Sequence, residues 1–79
     1  MELNEQDRNV LVHTLTGSND QGVYRNWFAA TADHHYMDSI KRLTAAGLMR
    51  RGKKYCDGFY YHCTALGAAA VGLRLPYDD

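Results

Sequence analysis

Seventy-nine residues, 46% of them hydrophobic and only one a proline, describe one small folded domain spanning residues 1–79 rather than a disordered tail. A chain this short has little room for an enclosed catalytic cleft. Its formal net charge is zero, so any attraction to a polyanion must come from a local patch.

Asn4 followed by Glu5, Gln6 and Asp7 predicts a helix start, a capping side chain ahead of acids in the first turn. Val10, Leu11, Thr14 and Leu15 repeat at helical spacing, and Gly17 is a suitable stop. Ser18 to Gly22 reads as a loop. Tyr24 to Ala32 carries mixed signals: its aromatics suit a strand and FAATA suits a helix. A short helix with an extended lead-in is the expectation, with Trp27 and Phe28 in the core. Asp33 can cap the next helix, on which Tyr36 or Met37, Ile40, Leu43 and Leu48 share a face and Gly47 marks the end. Asp38 and Arg42 are spaced to pair along that helix.

Asp57-Gly58 between aromatic runs is a strong hairpin signal. With these two as the loop, Cys56, Phe59, Tyr61 and Cys63 share an inner face, and Lys53, Tyr55, Tyr60 and His62 an outer one. Thr64 can cap a last helix running through Leu66, Ala68, Ala69, Val71 and Leu73 before Pro76 and an acidic end at Asp78 and Asp79. The fold class is α+β, mostly α. Helices followed by a two-stranded β-hairpin suggest a small winged helix-turn-helix-like domain, with a recognition helix in the major groove and the hairpin as its wing.

Three segments carry a resemblance: YRNWF at Tyr24–Phe28, LTAAGLMRRG at Leu43–Gly52 and YHCTALGAAA at Tyr61–Ala70. Together they resemble small uncharacterised phage and prophage proteins with a YRNxF, GLM and VTEAG-like pattern, and more distantly MarR-like winged-helix regulators. The resemblance implies a winged-helix fold and a phage origin, and so the cytoplasm of a bacterial host. It departs from the pattern at Cys63, where a β-branched residue is usual, and at Ala65, which replaces a Glu.

Chemistry is sparse. His34, His35, Cys56, His62 and Cys63 are the right ligand types for zinc, but no CxxC or HxxxH knuckle spaces them, so no metal or other cofactor is expected. Along the hairpin, Cys56 and Cys63 lie too far apart for a disulfide, whose Cα atoms must approach within about 7 Å. No nucleophile, base and orienting acid stand at readable spacing, and no phosphate loop is present, which points to a non-enzyme. Two unpatterned cysteines suit a reducing cytoplasm, the polar start MELNEQDRN is unlike a secretory signal, and no apolar run is long enough to span a membrane.

Charge is more informative. Between Ser39 and Cys56 stand Lys41, Arg42, Arg50, Arg51, Lys53 and Lys54 with no acid among them. Phosphate contacts from these cations, and stacking by Tyr55, Tyr60 and His62 on the outer wing face, are the expected binding chemistry. The expected partner is duplex DNA, as for a transcription regulator. The alternative is a host nucleic-acid-handling protein complex, occluded in the manner of an anti-CRISPR protein through aromatic and arginine contacts. Either terminal helix could supply a homodimer interface.

Overall fold

Elements follow in the order helix, strand, helix, two strands, helix in the computed structural model, which describes residues 2–17 and 22–76. Residues 18–21 of the expected loop, and the acidic end at Asp78 and Asp79, lie outside the described residues. Helix α1 (Glu5–Thr16) starts as its sequence dictates. The Asn4 side chain accepts from the Asp7 N–H at 2.7 Å, and the Asp7 carboxylate accepts from the Asn4 N–H at 3.2 Å. Val10, Leu11 and Leu15 are buried, and the Thr14 hydroxyl inside that stripe is satisfied by the Val10 carbonyl at 2.6 Å.

Residues after Gly22 return along the end of α1: the amides of Tyr24 and Arg25 donate to the Leu15 carbonyl, and that of Trp27 to the Thr14 carbonyl. They lead into a strand, β1 (Phe28–Thr31), where a short helix was expected. The reason is tertiary. As a strand, Phe28 and Ala30 alternate into the core while the backbone pairs with a later strand, and this outweighs the helix preference of two alanines.

Helix α2 (Met37–Ala45) buries Met37, Ile40 and Leu43 as expected and ends in a Schellman motif. Leu48 N–H returns to the Leu43 carbonyl and Gly47 N–H to the Thr44 carbonyl, with Gly47 at φ 80°. Asp33 does not cap it. Its carboxylate accepts from the Thr31 hydroxyl, and the His34 ring takes the Tyr36 N–H instead. The Asp38–Arg42 pairing also gives way, because the Arg42 guanidinium meets the buried carboxylate of Asp7 on α1.

Strands β2 (Met49–Tyr55) and β3 (Gly58–Cys63) form the expected hairpin, but within a three-stranded antiparallel sheet of order β1-β3-β2 rather than as an isolated two-stranded wing. The loop residues are Cys56 and Asp57, with Tyr55 paired to Gly58, so the register differs from the expected one. Gly58 explains the shift. A Cβ there would overlap the Ala30 carbonyl of β1, so this glycine serves the close approach of β1 and β3, and Cys56 takes the positive φ of 49° in the turn. Cys56 is therefore exposed rather than on the core face, while Cys63 is fully buried.

Helix α3 (Ala65–Ala70) is capped by Thr64, whose hydroxyl accepts from the Gly67 N–H at 3.1 Å. It is short: Ala68 is buried, Leu66 is exposed, and Val71 and Leu73 pack on the core beyond its end. One cluster joins all three helices to Phe28, Ala30, Met49 and Cys63 on one side of the sheet. The alternate strand residues point the other way.

Candidate nucleic-acid interface

Arg50, Arg51, Lys53 and Lys54 all lie exposed on β2, an edge strand whose ladder is irregular between Arg51 and Lys54. None of the three strands contains an acidic residue. Across from β2, Lys41 projects from α2, and it shares with Arg51 a groove of about 520 Å³ floored by Met37, Ile40 and Tyr61. The Arg51 guanidinium lies over the Phe59 ring at 4.5 Å, which holds it beside that groove. The structure thus brings Lys41 together with the cations of the hairpin.

Arg42 is separated from them. Besides Asp7 it reaches the Ser39 hydroxyl, which itself donates to Gln6 at 2.7 Å. This polar cluster fastens α2 to α1. Burial of the Asp7 carboxyl opposes its ionisation. Contacts with Ser39, the Asn4 N–H and Arg42 outweigh that cost and hold its pKa below the ordinary carboxylate value.

The second face of the sheet is aromatic. Register places Ala29 beside Tyr60, Arg50 beside His62 and Tyr55 beside Gly58, all facing away from the helices. Tyr55 and Tyr60 have ring centroids 4.9 Å apart, and Tyr60 meets Trp27 edge to face at 5.9 Å. Trp27, expected in the core, is 42% exposed, whereas Phe28 is buried as expected. The guanidinium of Arg25 covers one side of the indole at 3.9 Å while donating to the His13 carbonyl at 3.1 Å. His62 is only part-buried: its Nδ1–H donates to the Asn26 carbonyl at 2.6 Å, and its ring lies where a side chain at Gly52 would stand.

No local sequence signal marks Arg25, whose role depends on the placement of Tyr24 to Trp27 beside the end of α1. A second group surrounds Phe28 and adds His13, which no sequence signal marks, to His34 and His35. His13 and His34 each meet that ring edge-on at 5.3 Å, and His35 stacks on His34 at 4.6 Å. Burial, then the charge of Arg25, lowers the pKa of His13. Burial, then His35, lowers that of His34 against the opposing pull of Asp33. Among the described residues, no three His, Cys, Asp or Glu side chains converge as a metal site. The cysteines are both unpaired, and burial pushes the Cys63 thiol up to about 12. No described helix is long and apolar enough to cross a membrane.

Comparison with protein-family models, curated proteins and solved structures finds no match for this chain.

Proposed function

We propose that this chain is a non-catalytic DNA-binding domain of winged-helix type that holds the phosphate backbone with Lys41 on α2 and with Arg50, Arg51, Lys53 and Lys54 on β2. The observation that carries this reading is the groove shared by Lys41 and Arg51, from which exposed cations continue along an acid-free strand. Element order supports it too: helix, strand, helix and hairpin, with α2 packed on β2. Two successive turns, His34 N–H to the Thr31 carbonyl and Met37 N–H to the His34 carbonyl, stand where a fuller helix-turn-helix would have another helix. Arg42 leaves the contact set, being committed to Asp7.

The test is fluorescence anisotropy with random-sequence duplex DNA from low to moderate salt, on the wild type and on a variant with Arg50, Arg51, Lys53 and Lys54 all changed to Glu. Each lost phosphate contact flattens the dependence of log affinity on log salt by about 0.9. A variant with unchanged affinity and salt slope would remove the hairpin from the interface.

A second reading is occlusion of a host nucleic-acid-handling protein complex, favoured by the exposure of Tyr24 and Trp27 beside Arg25. Nuclease-resistant capture of one defined host complex, together with no DNA binding at low salt, would replace the first reading with this one.

A further inference from the structure

We infer that the helix-free face of the sheet is a stacking platform for unpaired bases, so that the chain takes single-stranded nucleic acid on a surface separate from the α2–β2 groove. This rests on the nucleic-acid reading above and adds a ligand class to it. The face is a strip of Trp27, Tyr60 and Tyr55, with successive ring centroids 5.9 and 4.9 Å apart. Trp27 and Tyr55 are each 42% exposed, an unusual state for large aromatics in a domain with so small a core.

Charge identifies the occupant. Arg25 lies against the indole at one end of the strip, and Arg50 shares the face through its pairing with His62. The strands contribute no carboxylate to oppose a phosphate chain. Rings with cations beside them, on strands that themselves carry no acid, match a nucleic-acid strand that offers base faces and phosphates alternately. A duplex hides its base faces within its own stack, so it can engage the cations but not the rings. The same chemistry selects against an acidic peptide, which brings charge without planar groups to cover the rings.

Trp27 is the only tryptophan in the chain, so its emission reports directly on this face. The test titrates the intact protein with three ligands: an oligothymidylate of roughly 15 nucleotides, an abasic strand of equal charge, and a duplex of the same length. The expected result is quenching of Trp27 by the oligothymidylate and affinity roughly ten-fold or more above that of the abasic strand. Tyr55→Leu, at an exposed site where the melting temperature should hold, is expected to remove much of that advantage while leaving abasic-strand binding unchanged. Equal affinities for base-bearing and abasic strands, without quenching, overturn the platform and leave the phosphate grip standing. Quenching by the duplex as strong as by the single strand overturns the preference for unpaired bases. Binding of none of the three ligands overturns both this inference and the reading beneath it.

Discussion

The side-chain amide of Asn26 pairs with the main chain of Cys63 as another strand would. Its Oδ1 accepts from the Cys63 N–H at 2.7 Å and its Nδ2 donates to the Cys63 carbonyl at 3.0 Å. Both groups are buried, so the amide extends the β1–β3 ladder beyond Phe28, the first residue of β1, and satisfies the end of β3.

Asn26→Ala should therefore cost more than two average hydrogen bonds, because it strands a buried donor and a buried acceptor. The expected loss is about 2–4 kcal/mol, read as a lower urea midpoint with little change in slope. Asn26→Asp should be at least as damaging, since a carboxylate cannot donate to the Cys63 carbonyl. A loss under about 0.5 kcal/mol for either variant would contradict the pairing.

The Asp7–Arg42 pair makes two separable predictions. Arg42→Met leaves the Asp7 carboxylate without its cation and should destabilise the fold by about 1–3 kcal/mol. It should not reach the full cost of a buried pair, because the Arg42 side chain is 47% exposed. DNA affinity of the folded variant should match the wild type, which distinguishes a structural arginine from a phosphate contact. Because the Asp7 pKa is depressed in the fold, its stabilisation is complete above the unfolded value of about 4 and is lost as pH falls through the folded one. Asp7→Asn should remove this part of the acid transition.

The histidines around Phe28 act in a higher pH window. His13 and His34 have folded pKa values below the ordinary 6.5, so the unfolded chain binds protons first as pH falls. Their contribution is complete above about 6.5 and declines below it. Melting temperature should thus drop between pH 7 and pH 5, before the carboxylates titrate. His34→Gln should flatten the drop. An identical profile in wild type and variant would show that these rings do not carry it.

Thiol chemistry should separate the cysteines completely. Cys56 is exposed in the hairpin turn, while Cys63 is buried with its Sγ facing the Leu11 carbonyl at 3.7 Å and its thiol held protonated. A maleimide should label one equivalent quickly in the native protein and the second only at the rate of unfolding. Mass mapping should place the fast label on Cys56, and Cys56→Ser should abolish it without loss of stability.

Local signals in the chain were legible where neighbours in sequence supply the partners. Asn4 and Asp7 cap each other within one turn, Gly47 closes its own helix, and Thr64 caps the next residues. Misreadings arose where the partner is remote. Phe28–Thr31 is a strand because of Gly58–Tyr61, about thirty residues away. Asp57-Gly58 looked like a turn because nothing nearby shows that Gly58 must admit the Ala30 carbonyl. For the candidate site, the cation run along β2 was readable as composition. Arg42's commitment to Asp7 and Trp27's exposure both depend on packing between distant segments.

The position of β2 at the edge of the sheet has one more consequence. Among the described residues no strand pairs with its outer side, which could recruit a strand from another molecule. A row of like charges, together with the irregular ladder between Arg51 and Lys54, opposes that pairing, and β1 at the other edge is only four residues long. The side chains proposed to hold phosphate are thus also those that oppose edge-to-edge pairing between copies of this neutral chain. Alanines in β2 would remove the proposed phosphate contacts and uncover the edge at once, so aggregation could pass for lost binding. Glutamates would oppose the proposed phosphate contacts and keep the edge guarded.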